Sequence, residues 1–555
     1  MKNKYLILLT GILLMFLGAC SDAFDDMNVD PDSPTKTQPD FLFTNLVRGI
    51  GYSGSQNLYL YCPQTMPITR MVGGGGSEVL ENTSGIDGSW GEFYGKLKDI
   101  NGLYEMIEKS AAAPERHVNQ KAMLTIYKVY HAFRTLDKFG DMPYFDAGKG
   151  YTDLIYRPKY DSQQDVYYGL LDELKAAVQS MVLEDKTPDD ESIFDFDINA
   201  RLWGGSDAVV HFTKWKKFGV SIMLKYALRM SKADQAKAKE YISFALGTGA
   251  LMEDISDGAA LYPTSIDGYN NGSRRNSWSW AFYYSPGTRP AQFMTSLLTT
   301  AASSAEIDSS EVFDPRFFAI YYPNDQGEYK VIPNSPDDLD NLVPSMVVSD
   351  AKNYPGGEWA KTLKPWSDPA YEANYCVFNR FYMLSMFMPQ QMLTYSEHCL
   401  VLAEIYAMNL ANGNAQAYYE KGVRASITEF VNGDYGDYPE NNPSWIVHVD
   451  NDQLNDILTN SPIKWDAANA LNLIRTQRYI DYMHRPDNAW AIVRRTNLFD
   501  LDNTVPIFSD GQKVNMIWRL KYPASEIDYN TDNYLEVLGK MGGQDDIRFK
   551  NWLWK

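Results

Sequence analysis

The chain has 555 residues, enough for a large core and for more than one packing unit. Lys and Arg total 51 against 71 for Asp and Glu, a formal charge of −20 that repels nucleic acid, and no basic tract overrides it. Aromatic residues make up 14% of the chain, led by 38 Tyr; rings in that number serve a core or flat contact with sugars or peptides.

The first element is a short apolar run. Met1-Lys2-Asn3-Lys4 is basic, and Tyr5 to Leu17 is apolar apart from Thr10 and Gly11. The run is too short to cross a bilayer comfortably and is followed at once by polar, acidic residues. Leu17-Gly18-Ala19-Cys20 closes it as a lipoprotein signal: residues 1–19 are removed and Cys20 becomes the acylated first residue. Several fatty chains on one residue anchor a protein body durably where one chain is marginal. A plain secretory peptide with an incidental cysteine is the alternative. Residues 20–40 then read as a lipidated acidic tether, with Asp22, Asp25 and Asp26 near its start and Pro31, Pro34 and Pro39 along it. Acids beside the lipid are repelled by anionic headgroups, so they do not serve adhesion.

Helical periodicity dominates the body, residues 41–555. Ile100, Leu103, Tyr104 and Ile107 share one face, and Ala122, Ile126, Val129, Phe133 and Leu136 another within 117–139, with Pro114 between them. Residues 163–181 carry Tyr167, Leu170, Leu171, Leu174 and Val178 on one side, and 214–231 is apolar almost all round, which predicts a central helix. Residues 395–410 and 416–430 form a helix pair around Ala411-Asn412-Gly413-Asn414, whose Asn and Gly suit a C-cap, and 465–484 is a further helix. The scaffold is thus expected at about 95–250 and 389–490. Loop-rich, ligand-facing segments are expected at about 50–94 and 251–388, where Gly, Pro, Asn, Ser and aromatics crowd together. Cys62, Cys376 and Cys399 have no disulfide or zinc spacing, and Cys399 falls on an apolar helical face.

Catalytic patterns are missing. The six histidines are scattered, no nucleophile elbow occurs, and Gly73-Gly74-Gly75-Gly76-Ser77 lacks the lysine of a phosphate loop. A glycosidase pair of acids stays open, since sequence shows no carboxylate separation. Asp195-Phe196-Asp197 and Asp500-Leu501-Asp502 lack the full calcium-loop pattern and read as solvated surface. No cofactor or metal site is expected. Aromatic loop clusters carry more. Trp278 and Trp280 alternate with small polar residues and so share a side of an extended segment; Tyr283 follows, and Trp90 stands in a Gly-flanked stretch. Trp90, Trp278, Trp280 and Tyr283 are the candidate ligand-binding rings, with packing of loops onto the scaffold as the alternative use.

These pieces together resemble the SusD/RagB family of outer-membrane lipoproteins, and most closely its SusD-like, starch-binding-associating branch. The resemblance rests on Asn28-Val29-Asp30-Pro31 and Phe41-Leu42-Phe43-Thr44-Asn45-Leu46, then on Leu136 to Tyr144 (LDKFGDMPY) and Tyr160-Asp161-Ser162-Gln163. It continues through Trp215-Lys216-Lys217-Phe218, Leu224 to Ser231 (LKYALRMS), Ala403-Glu404 and Tyr419 to Ser426 (YEKGVRAS). Thr476-Gln477, Arg494-Arg495-Thr496 and Arg519 to Pro523 (RLKYP), with Glu526, Asn530 and Asn533, complete it. The acidic patch after Cys20 is similar to the export tag of lipoproteins of the Bacteroidetes type. Membership implies a mostly α fold of tetratricopeptide-like helix pairs with a loop-rich, irregular half. It implies a non-enzymatic, lipid-anchored protein on the outer membrane, facing outward. Its partner would be a SusC-like TonB-dependent transporter, to which it delivers a captured oligosaccharide. A RagB-like peptide-capturing lid is the alternative, and a helical glycoside hydrolase a more distant one. Gly140 is read as a helix-ending glycine, and Arg494, Arg495 and Arg519 as ties holding the C-terminal segment to the helices.

Overall fold

Apolar residues spaced three and four apart fold here into paired helices whose shared faces make one core. The computed structural model describes residues 39–49, 51, 54–73, 83–109, 117–150, 152–183, 208–261, 278, 281, 290–301, 306–324, 326–331, 375–379, 382–383, 388–433, 448–501, 507–509, 512–514 and 516–555. Twelve of the helices among them are labelled α1 (Pro39–Arg48), α2 (Thr83–Glu108), α3 (Val118–Phe139), α4 (Gln163–Ser180), α5 (Ala208–Met230) and α6 (Gln235–Gly247), then α7 (Tyr395–Ala407), α8 (Ala415–Val431), α9 (Asn451–Asn460), α10 (Ala470–Asp481), α11 (Pro486–Thr496) and α12 (Thr531–Lys540). Helix α2 packs on α3, α3 on α4, α5 on α6 and α7 on α8, while α5 also touches α3, α4, α7 and α11. That makes α5 the central helix its sequence predicts. The fold is mostly α, as expected. No described helix is long and apolar enough to cross a membrane. Cys20 lies outside the described residues.

Local chemistry sets many of the helix starts. Ser162, Asp234, Thr394, Asn414 and Asp450 each accept a hydrogen bond from the backbone N–H three residues on, satisfying a donor that the first helical turn leaves over. Two departures from the sequence reading are instructive. Helix α2 begins at Thr83, inside the stretch expected to be loop. Gly85, Gly88, Gly91 and Gly95 weaken its intrinsic propensity, and burial of Ile86, Trp90, Phe93 and Leu97 outweighs that. Gly85 is also required for packing, since a Cβ there would stand 2.8 Å from the Tyr59 carbonyl oxygen. At the α7–α8 turn the left-handed residue is Asn409 (φ 55°), not the Asn412-Gly413 pair.

The irregular half holds short pieces. Ala259–Leu261 pairs with Gln390–Leu393, Glu306–Ile307 with Tyr329–Lys330 and Tyr321–Tyr322 with Val377–Phe378, all antiparallel. Arg316, fully buried, ties this half to the scaffold. Its guanidinium bonds Asp314 beside it, the Ser426 hydroxyl of α8 at 2.8 Å and Gln477 of α10.

Buried ions lock the helices to one another. Glu404 of α7 accepts from Arg475 (2.8 Å) and Arg478 of α10 and from Arg495 of α11 (2.6 Å). Glu397, two turns earlier, meets Lys225 of α5 at 3.0 Å, Arg485 at 2.7 Å and the Tyr482 hydroxyl at 2.9 Å. Arg478 also donates to Tyr482 at 2.9 Å, so the two carboxylates belong to one network. Burial alone would raise the Glu404 pKa, but Arg495, Arg478 and Arg475 hold it well below the carboxylate range. Burial pushes Lys225 down to about 8 against the pull of Glu397. A second centre joins Glu92 of α2 to Lys138 (2.8 Å) and Arg134 of α3, with Arg134 reaching Asp487 of α11 at 3.2 Å.

The 136–144 segment is a junction. Asp137 pairs with Arg229 of α5, Lys138 with Glu92, and Asp141 accepts the Gln163 N–H at 2.8 Å. Gly140 takes φ 87°, ending α3, and a Cβ there would sit 2.4 Å from the Asn551 side chain. Arg494 lies between the rings of Trp490 (3.7 Å) and Trp554 (4.1 Å) and donates to the Asp137 and Trp518 carbonyls. Arg519 donates to the Phe139 carbonyl at 3.1 Å and pairs with Asp545. Tyr160 donates to Glu526, and the Asn530 and Asn533 amides to the carbonyls of Pro158 and Arg157. Arg494 and Arg519 therefore hold the C-terminal segment as the sequence suggested, while Arg495 instead ties α11 to Glu404 of α7.

Two carboxyls on this frame should respond oppositely to neutralisation. Glu404→Gln leaves three arginines facing a neutral amide and should cost about 3–5 kcal/mol at pH 7. Glu429 of α8 has a covered carboxyl oxygen; burial, then Asp481, raise it to about 8. Its folded form holds the proton, so the stability it gives at low pH is lost as pH rises from the usual carboxylate range through about 8. Glu429→Gln should flatten that decline. Urea unfolding of both variants across pH 5–9 checks the pair.

Candidate functional site

The rings singled out from sequence do not gather into one open face. Trp90 is 6% exposed; on α2 it falls in register with Ile86, Phe93 and Leu97, and its ring meets Tyr94 (4.6 Å), Phe139 (4.9 Å) and Tyr522 (5.8 Å). Trp278 is 1% exposed and packs on Tyr61 (6.0 Å) and His484 (6.1 Å). For these two, packing onto the scaffold is the observed role, a correction to the expectation of open stacking faces. Trp280 and Tyr283 lie outside the described residues.

Unusual backbone collects at another place. Asn57–Thr65 runs as a π-helix with Pro63 inside it; such turns are rare and gather at functional sites. It feeds Met66–Ile68 and then Arg70, whose φ is 63°. Across the space, α11 ends in Asn497 (φ 50°), Phe499 (φ 67°) and Asp500 (φ 53°). Asn and Asp tolerate the left-handed region, but Arg70 and Phe499 each cost about 1–3 kcal/mol there. The two strained residues meet through Phe293: the Arg70 guanidinium lies 5.2 Å from its centroid, and the Phe293 and Phe499 rings stand edge to face at 4.9 Å. Beneath them is buried Tyr479 of α10. It touches Phe499 at 5.1 Å and Phe293 at 6.4 Å, and its hydroxyl donates to the Thr69 carbonyl at 2.6 Å.

Arg70, Phe293 and Phe499 are all half-buried. Burial lowers the Arg70 pKa, with Tyr479 opposing. Two apolar rings beside a partly desolvated guanidinium offer stacking and directed hydrogen bonds to one ligand. Sequence reasoning missed this group because tryptophans drew the eye. The available signals were the turn-prone Asn497 and Asp500. Asp500, weighed for calcium from its spacing, instead accepts from the Asn497 amide at 3.0 Å.

One buried pair resembles a nucleophile and base without the chemistry. His398 Nδ1 lies 2.8 Å from Ser221 Oγ, but that hydroxyl donates to the Lys217 carbonyl at 2.7 Å. The imidazole must therefore be the donor and cannot take the serine proton. Burial holds His398 down at about 3 and His131 also at about 3, so both are neutral.

A family profile described as "Starch-binding associating with outer membrane" matches residues 31–523. Among solved structures, a chitin-binding protein is 21% identical with a TM-score of 0.70, the alignment covering 93% of this chain and 100% of that one. A SusD homologue from Parabacteroides distasonis is 20% identical with a TM-score of 0.71, covering 94% and 98%. One from Bacteroides fragilis is 20% identical with a TM-score of 0.68, covering 94% and 100%. At these identities the likeness is one of fold. No curated protein sequence matches the chain.

Trp90→Ala and Trp278→Ala should each lower the free energy of unfolding by about 3–5 kcal/mol, the usual cost of emptying an aromatic core position. Denaturant melts check this; a loss under 1 kcal/mol would mark either ring as dispensable to the core.

Proposed function

This chain belongs to the SusD-like family of starch-binding, outer-membrane-associating proteins, and on that premise we propose that it captures an oligosaccharide at the cell surface and delivers it to a SusC-like TonB-dependent transporter. Cys20 carries the lipid anchor, and the outer face of the outer membrane is its place. The protein breaks no bond; it binds and hands over.

The observation that carries capture is the half-buried Phe293–Phe499 pair beside Arg70, held by left-handed backbone. Sugars present C–H faces that stack on rings and hydroxyls that a guanidinium bonds in its plane. Trp280 and Tyr283 are proposed as further stacking rings. They stand within thirteen positions of Phe293 in sequence, on a stretch whose Trp278 is seated against the π-helix through Tyr61. The family's description and the chitin-binding neighbour support a glycan as cargo. The buried, neutral histidines support binding over catalysis.

Titration calorimetry against soluble starch, chitin oligomers and a wider glycan panel should give a binding signal with no reducing sugar released. Trp280→Ala and Tyr283→Ala should each weaken it by about tenfold, near 1.4 kcal/mol. Binding of oligopeptides but of no glycan would replace the cargo with peptide, and steady sugar release would make the protein an enzyme.

Replacing Cys20 with Ala should move the protein out of the outer-membrane fraction. Retention there after the change would rule out the lipid anchor.

A further inference from the structure

Helix α10 is held by polar contacts on either side of Tyr479. Gln477 accepts from Arg316, Arg478 reaches Glu404, and Asp481 pairs with Arg485. Rotation of the helix would break the first two, and Arg485 carries the third on to Glu397 of α7. Between these anchors stands Tyr479, fully buried, and its contacts run the other way, toward the candidate site. Its hydroxyl holds the Thr69 carbonyl, directly before left-handed Arg70. Its ring meets left-handed Phe499 and, more distantly, Phe293.

We propose that Tyr479 is the positioning residue of the ligand site, one side chain whose hydroxyl and ring together hold Arg70, Phe293 and Phe499 in binding geometry. The inference rests on the capture reading above. A left-handed Arg or Phe relaxes to an ordinary backbone well unless its surroundings prevent it. The Tyr479 hydroxyl restrains the Thr69–Arg70 peptide from one side, and its ring, set edge to face with Phe499, blocks collapse of Phe499 from the other. Strain on two separate segments is thereby referred to one rigid helix. The ligand then meets rings and guanidinium already in place and is spared the entropy of ordering them.

The test uses the full protein carrying Tyr479→Phe, which keeps the ring and loses the hydroxyl. Tyr167→Phe is the control: that buried hydroxyl donates to the Tyr226 carbonyl at 2.9 Å, the same kind of bond away from the site. Hydrogen exchange read by mass spectrometry should be about tenfold faster at residues 69–71 in Tyr479→Phe than in the control, with 499–501, whose ring contact is kept, loosened less, at similar melting temperature. Affinity for the glycan that the wild type binds best should fall about tenfold in Tyr479→Phe and stay unchanged in the control. Phe499→Leu, which removes the ring contact from the other side, should loosen 69–71 less than 499–501, and it serves if Tyr479→Phe does not fold. Unchanged exchange at residues 69–71, or faster exchange there with undiminished affinity, overturns the proposal. A wild type that binds no glycan while Tyr479→Phe still loosens 69–71 and Phe499→Leu still loosens 499–501 would fault the capture reading and leave the clamp standing.

Discussion

Two glutamates on one helix organise this fold. Glu404 and Glu397 lie on the buried α7 and are met by five cations from α5, α10, α11 and the turn before α11. Taking so many charges out of water is expensive, and an apolar core of equal volume could match them in net stability. What the charges add is register. Each guanidinium satisfies its carboxylate only at one rotation and one height of its helix, so sliding or turning any of them strands a buried ion. The Glu92 centre does the same for α2, α3 and α11. The scaffold is therefore specified by ion pairs as much as by its apolar faces.

That rigidity is what lets strained backbone persist elsewhere. Left-handed Arg70 and Phe499 would relax on a soft support. Here they lean on Tyr479, which is flanked along α10 by residues bound to Arg316, Glu404 and Arg485. The π-helix at Asn57–Thr65 fits the same pattern. It is clamped between α2 and α11, and its Tyr61 supports Trp278. Rigid ion-paired helices thus end in a small region of atypical backbone, where Arg70, Phe293 and Phe499 meet half-buried.

Much of the scaffold was legible because helix periodicity is a strong signal where burial is one-sided. The periodicity places α3 and α4 to within a residue, and the 136–144 motif with Arg494 and Arg519 already announces a junction. α2 was hidden by its glycines, since a close approach to the Tyr59 carbonyl matters more there than propensity. The site was the least legible part. Trp90 looked exposed beside glycines, but helical register carries it inward. Phe293, Phe499 and Arg70 come from three distant segments, and nothing in their local sequence tells that Tyr479 brings them together. The ion network was equally invisible. Charges at Glu397, Glu404, Arg478 and Arg485 look like any solvated face until the helices are assembled.

On the proposed reading, the ionic scaffold presents one ligand platform, at Arg70, Phe293 and Phe499. A crystal structure of the protein with a bound oligosaccharide measures this most directly. A sugar ring lying against Phe293 or Phe499, with a hydroxyl in reach of the Arg70 guanidinium, is the predicted result. A sugar seated instead on the exposed rings of Tyr156 and Tyr529, with Arg70 untouched, would contradict it.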